Sequence, residues 1–265
     1  MDPLDFEKWQ GLGNDFVVLA GGDPGPELAI RLCDRRRGVG ADGVLAILEE
    51  AGGVRMIVRN ADGSRPETCG NGVRCVVGHV ALRRGLVAGE VLILTDAGAR
   101  TCAFERDGIE HVHVTVAMGR ARLEGPVLAP SFDGHTFVRV DLGNPHAVSF
   151  DPFVEADLDW LGPALEKGTV GGINVELCRV VAANRIEVIV WERGCGRTQA
   201  CGSGACAVAA AAVAAGLAAA NEPIEVVLPG GALVLEVDQA TGMVTMRGPA
   251  ALVYRGTTSR DRFKP

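Results

Sequence analysis

The phrase Cys-Gly-Asn-Gly at residues 69–72 returns as Cys-Gly-Ser-Gly at 201–204, 132 positions later in a chain of 265. A repeat spaced by about half the chain length predicts two similar units, each built around its own copy. Further landmarks keep the same order. Nine residues before Cys69, Asn60 ends the apolar run Val54–Arg59; nine residues before Cys201, Glu192 ends Ile186–Trp191. Gly13-Asn14 and Gly143-Asn144 open the two copies, 55 and 57 residues ahead of their cysteines when counted from the asparagines. After each Cys-Gly phrase come a helix-like run, a strand, a glycine-containing turn and a second strand: Val91–Thr95 and Arg100–Phe104 in one copy, Ile224–Leu228 and Ala232–Val237 in the other.

Each phrase lies between a strand-like run and a helix-like one, so each thiol is expected at a helix N-terminus. There, unpaired backbone N–H groups and the positive end of the helix dipole favour a thiolate. The first helix runs from Asn71 to a stop at Gly85, with Arg83 and Arg84 in its last turn. The second runs from Ser203 to Gly216. Both are apolar around most of their circumference and should be wrapped by strands. Short strands over 112–116, 137–141, 176–181 and 244–247 complete the pattern. The expected fold class is α/β of the α+β type. It has two pseudo-symmetric lobes, each a curved, mainly antiparallel, barrel-like sheet around a central helix, with both helix N-termini facing a shared cleft. The lobes are residues 1–120, carrying Cys69, and 121–265, carrying Cys201.

Composition narrows the function. A net charge of −7, with no basic run longer than Arg35-Arg36-Arg37, disfavours nucleic-acid binding. The acidic start has no apolar core of a signal peptide, and the alanine-rich stretch 204–220 reads as a buried helix rather than a membrane span. A cytoplasmic protein with no membrane partner is expected. The eight cysteines then fit free thiols better than disulfides, most of them, including Cys75 and Cys206, as small core residues. No Cys-x2-Cys pair suggests zinc, no P-loop or Gly-x-Gly-x-x-Gly fingerprint suggests a nucleotide, and His111 and His113 read as structural.

Two thiols at two helix ends suit proton transfer at one carbon, with a thiolate removing a proton from one face and a thiol returning one to the other. Backbone N–H groups at Gly70-Asn71 and Gly202-Ser203 can clamp a carboxylate next to that carbon and stabilise charge developing on it. Arg193, Glu192 and several asparagines offer partners for a second carboxylate and ammonium.

Together, Gly11-Leu-Gly-Asn-Asp-Phe-Val17, Asn60-Ala-Asp-Gly-Ser64, Cys69-Gly-Asn-Gly-Val-Arg-Cys75, Gly143-Asn-Pro-His146, Asn174-Val-Glu176, Glu192-Arg-Gly194 and Ala200-Cys-Gly-Ser-Gly-Ala-Cys206 resemble the diaminopimelate epimerase family. The resemblance implies a cofactor-independent, two-base epimerase that interconverts LL- and meso-diaminopimelate for lysine and peptidoglycan precursor synthesis. It implies Cys69 and Cys201 as the catalytic acid/base pair, with His146 and Glu192 modulating them. It further implies substrate contacts from Asn14, Asn60, Gly70, Asn71, Asn144, Asn174, Glu192, Arg193, Gly202 and Ser203, with no metal or other cofactor. A homodimer is the expected assembly. Three positions depart from the family pattern: Gly43 where many members carry Gln, Ser203 where Thr is usual, and Arg197 where Glu is common. Two rivals stand beside this reading. One is a sister two-cysteine racemase acting on proline, hydroxyproline or histidine. The other is a thiol-redox protein in which Cys69 and Cys201 form a reversible disulfide.

Overall fold

A computed structural model describes residues 2–66, 69–126 and 134–263. The chain divides into two compact units, Met1–Val116 with Gly248–Pro265 and Ala117–Arg247. The second unit begins at Ala117, and the last segment belongs to the first unit. The reason is strand pairing: residues 251–259 pair antiparallel with residues 3–10.

In the first unit, β1 (Pro3–Gly11) and β2 (Asn14–Ala20) form a hairpin, and α1 (Pro26–Cys33) leads to β3 (Gly43–Glu50) and β4 (Gly53–Asn60). The central helix α2 (Gly70–Arg83) follows, then β5 (Ala88–Thr95), β6 (Gly98–Asp107) and β7 (His111–Arg120). The second unit holds β8 (Arg122–Pro126), β9 (Val138–Asp141), β10 (Pro145–Ser149), α3 (Leu158–Gly168), β11 (Asn174–Ala182) and β12 (Arg185–Glu192). It continues with the short β13 (Gly196–Thr198), α4 (Gly202–Ala214), β14 (Ile224–Leu228), β15 (Gly231–Val237) and the start of β16 (Met243–Ser259).

The repeat is visible in the pairing. In the first unit β2 runs parallel to β3 and β4 parallel to β5, with α1 and α2 as crossovers. In the second, β10 runs parallel to β11 and β12 parallel to β14, with α3 and α4 as crossovers. Parallel neighbours require such helical connections, and neighbours joined by short turns, such as β1–β2, β3–β4, β5–β6, β6–β7, β11–β12 and β14–β15, are antiparallel. Strands β1 to β7 lie in sequence order, and β16 neighbours both β1 and β7, which closes eight strands around α2. The sheet of the second unit runs β15-β14-β12-β11-β10-β9-β8 and packs on α4.

Both central helices are buried nearly all round, α2 from Asn71 to Ala81 and α4 from Gly202 to Ala212, α4 with Ser203 half-buried. The alanines of α4 keep it slim enough to sit inside a strongly curved sheet. Each ends as the sequence predicts: Gly85 and Gly216 take positive φ, and the next residue's N–H (Leu86, Leu217) returns to the carbonyl of Ala81 or Ala212. Alternation explains the strands. On β7, Val112, Val114 and Val116 face inward while His111 and His113 are exposed. The helices α1 and α3 are absent from the sequence reading, and β16, expected over 244–247, extends to seventeen residues.

One buried carboxylate ties α2 to its barrel. Glu7 on β1 accepts hydrogen bonds from Trp9 Nε1 at 2.7 Å and Arg255 Nε at 3.1 Å, and lies 2.7 Å from His79 Nδ1 on α2. Burial pushes its carboxyl up, but the bonds from His79 and Trp9 and the nearby Arg255 outweigh this and hold it at about 2. A folded-state value below the unfolded one stabilises the protein above the unfolded pKa and loses that contribution as pH falls toward the folded one. Stability should therefore drop between pH 4.5 and about 2. Glu7→Gln should flatten that drop and lower stability at neutral pH by about 2 kcal/mol, allowing for solvent screening. Urea denaturation across this range would check it, and an unchanged acid limb would refute it.

Candidate active site

Cys69 and Cys201 occupy the same structural position, the N-cap of α2 and of α4. Each Sγ accepts the backbone N–H of the third helical residue, Gly72 at 3.3 Å and Gly204 at 3.4 Å. This is the bond a capping Ser or Asp makes, here made by sulfur. The N–H groups of Gly70 and Asn71, and of Gly202 and Ser203, belong to the first turns and have no carbonyl partner within their helices. All eight cysteines are free thiols. Cys75 and Cys206 are fully buried, in agreement with a core role.

In the first unit, Asn14 begins β2 and Asn60 ends β4. The Asn60 amide donates to Ser64 Oγ at 2.9 Å, and Asn14 Oδ1 is buried without a hydrogen-bond partner among the described residues. The Asn71 side chain turns inward, where Oδ1 accepts from the fully buried Arg74 at 3.0 Å, and Arg74 also donates to the Pro249 carbonyl. At Gly43, a Cβ would meet the Arg59 carbonyl oxygen at 2.8 Å. The β3–β4 pair is thus drawn closer there than a side chain would permit.

The second unit surrounds its cysteine with more polar groups. Asn144 donates to Ser203 Oγ at 3.2 Å, and that hydroxyl lies 3.6 Å from Cys201 Sγ. Glu192, at the end of β12, accepts from Thr198 Oγ1 at 2.6 Å. Burial pushes the Glu192 carboxyl up, against the lowering effect of hydrogen bonds from Thr198 and Cys201. Burial also pushes the Cys201 thiol well up, and the neighbouring Glu192 and Glu176 carboxylates add to this. His146, fully buried on β10, places Nδ1 2.7 Å from Oε1 of the equally buried Glu176 on β11.

Asn174 is a bracket: its amide donates to the Pro145 carbonyl and accepts the Arg193 N–H, both at 2.9 Å. The exposed Arg193 side chain donates to the Gly171 carbonyl at 3.0 Å. Its stem lies so close over Gly172 that a Cβ there would stand 2.7 Å away, and Gly172 has a φ of 74°. Glu166 on α3 completes the turn by accepting from the Gly194 N–H and from Trp191 Nε1, each at 2.7 Å. Arg197, the third departure, forms ion pairs with Glu155 and Asp159.

Two groups escaped the sequence reading. Glu176 was available as the last residue of Asn174-Val-Glu176, since alternation on a strand gives 174 and 176 the same face. Glu166 had no local signal. Among the described residues no three His, Cys, Asp or Glu side chains group as metal ligands, and no helix is long and apolar enough to cross a membrane.

Comparison with known proteins agrees with this arrangement. The family model for diaminopimelate epimerase matches residues 6–124 and 138–253. A diaminopimelate epimerase of Desulforudis audaxviator is 44% identical, the match covering 96% of this chain and 98% of that protein. One from a Cyanothece strain is 38% identical, over 96% and 99%. The fold is shared more widely: a hydroxyproline epimerase from Agrobacterium vitis superposes with a TM-score of 0.75 at 15% identity, over 100% of this chain and 93% of its own. With the paired cysteine caps in place and both halves of the chain matched by one family model, the protein belongs to the diaminopimelate epimerase family.

Proposed function

We propose that the protein interconverts LL- and meso-diaminopimelate by direct proton transfer between the substrate α-carbon and Cys69 and Cys201, in lysine and peptidoglycan precursor synthesis. The observation that carries this reading is the equivalence of the two thiols, each a helix N-cap bound by the third N–H of its helix. One cysteine as thiolate removes the α-proton. The electron pair passes into the α-carboxylate, whose oxygens the N–H groups of Gly70, Asn71, Gly202 and Ser203 stabilise. The other cysteine, as thiol, returns a proton to the opposite face, so the two sulfurs exchange protonation states in each turnover. His146 and Glu192 modulate the cysteines. Asn14, Asn60, Asn144, Asn174, Glu192 and Arg193 hold the substrate, and the pairing of Glu192 with Arg193 suits an ammonium and a carboxylate at the distal end. The chemistry asks for no pyridoxal phosphate or metal. The protein acts in the cytoplasm, as a homodimer.

The test is incubation of LL-diaminopimelate in deuterated water. Meso product carrying deuterium at the inverted carbon is expected, with no turnover of proline, hydroxyproline or histidine. Failure to convert LL-diaminopimelate would overturn the reading, and activity on one of the others would replace it.

Arg193→Ala should raise KM about tenfold or more while leaving kcat within a few-fold, because a distal charge contact is lost and the reacting groups remain. Gly172→Ala should act in the same direction by displacing the arginine stem. Unchanged kcat/KM in Arg193→Ala would remove that side chain from the site.

A further inference from the structure

The two units place their cysteines alike, and one exchange between them is not required by packing. A Cβ added at Gly72 would stand 2.9 Å from Leu45 Cδ2 and 3.0 Å from Cys69 Sγ. At Gly204 the same atom would stand 2.7 Å from Glu176 Oε1 and 3.3 Å from Cys201 Sγ. The strand registers give the same equivalence. Phe16 pairs with Gly43, two residues before Leu45, and His146 pairs with Asn174, two residues before Glu176. An apolar pair, Phe16 and Leu45, therefore occupies in one unit the place that His146 and Glu176 occupy in the other.

Leu45, Glu176 and His146 are all fully buried. Leucine shows that an apolar side chain fills this place, and a buried carboxylate is costly unless it is paired and hydrogen-bonded. Glu176 is bonded on one side only: Oε2 has no hydrogen-bond partner among the described residues, nor does His146 Nε2. A group that packing does not need and that hydrogen bonding only half satisfies indicates a role in the chemistry beside it.

We propose that Glu176 is a positioning residue: it locks the His146 ring through Nδ1 and sets its carboxylate under the first turn of α4, so that Cys201 keeps its proton until substrate binds. This rests on the acid/base reading of the two cysteines. Cys201 is faced by Glu192 from β12 and Glu176 from β11, with His146 of β10 acting on both carboxylates, while the Ser203 hydroxyl and the Gly204 N–H of α4 favour its thiolate. Burial and the two carboxylates prevail, and the thiol is raised. The first unit puts Leu45 where Glu176 stands. Cys201 is then ready as the acid for one stereoisomer and must first give up its proton to act as base on the other.

The measurement is a pH titration of ultraviolet thiolate absorbance in a Cys69→Ala protein, with the double variant Cys69→Ala/Cys201→Ala subtracted to isolate Cys201. Adding Glu176→Gln should move the titration to lower pH and give about tenfold more thiolate at a given pH on its rising limb. Glu176→Leu, which installs the residue of the first unit, should do at least as much and should also change the imidazole nitrogen NMR signals of His146. Superimposable titrations with and without Glu176→Gln would overturn the proposal. The near-isosteric glutamine variant decides the matter even if the leucine variant does not fold. No substrate is present, so a negative result leaves the epimerase reading untouched, whereas failure to turn over diaminopimelate leaves this titration interpretable.

Discussion

Replacing Cys69 or Cys201 by alanine is expected to slow epimerisation in both directions by about two to four orders of magnitude, the range that a positioned acid or base contributes. In the proposed mechanism each thiol serves as base in one direction and as acid in the other, so neither variant should spare a direction. The structural cost should be small by comparison. Alanine at a helix N-cap forfeits one hydrogen bond, about 1 kcal/mol, so the variants should fold with a modestly lower Tm. Solvent exchange separates the two roles. The cysteine that remains can still remove the α-proton from the one face it serves, so deuterium uptake without inversion is expected for one stereoisomer in each variant. Rates for LL and meso substrates, with mass spectrometry of recovered substrate, would check this. Either alanine variant working within tenfold of the parent would show that the thiols are not the acid/base pair.

Gly204→Ala should be the most damaging single methyl addition near Cys201. The added carbon would meet Glu176 Oε1 at 2.7 Å, and that oxygen is held 2.7 Å from His146 Nδ1 with both side chains fully buried. Relief requires breaking that pair or shifting the first turn of α4, and overpacking of this kind costs about 2–3 kcal/mol. Cys201 Sγ, 3.3 Å from the same point, would lose its cap geometry, and activity should fall by at least about tenfold. Gly72→Ala is the internal control. It controls for stability only: the Leu45 Cδ2 methyl at 2.9 Å can move aside by a change of rotamer, so about 1 kcal/mol is expected, whereas Cys69 Sγ at 3.0 Å means that its activity should fall as well. Thermal denaturation and kcat for the two variants would settle the comparison, and equal losses of stability would contradict it.

The sequence carried the repeat, the two central helices and the positions of both cysteines because all of these rest on local rules. The Cys-Gly phrase, the apolar run behind it and a glycine stop are readable without knowing what packs against them. The helices α1 and α3 were not readable in the same way. The first is eight residues beginning at Pro26, directly after Gly25, and the second contains Pro163. Both are short segments whose helical form depends on packing against strands distant in sequence. Asn174 was legible as a site residue, but its bracket between Pro145 and Arg193 depends on the parallel register of β10 and β11. Glu176 was visible in a motif yet had no role until its contact with His146, thirty positions away, was known. The assignment of residues 248–265 to the first unit depended on β16 pairing with β1, a contact between the two ends of the chain.

That last pairing gives synthesis of this protein an order. Strands β1 to β7 of the first unit are made before the second unit, but their ring lacks a strand until β16 is made. Until then β1 and β7 present open edges, the kind of surface on which chains associate wrongly. The second unit needs only the opening residues of β16, so it can finish before the unit that began first. A fragment cut near residue 120 would be a full repeat by sequence and an incomplete barrel in space. A circular permutant that places residues 248–263 ahead of residue 2 would instead let the first unit close as it is made.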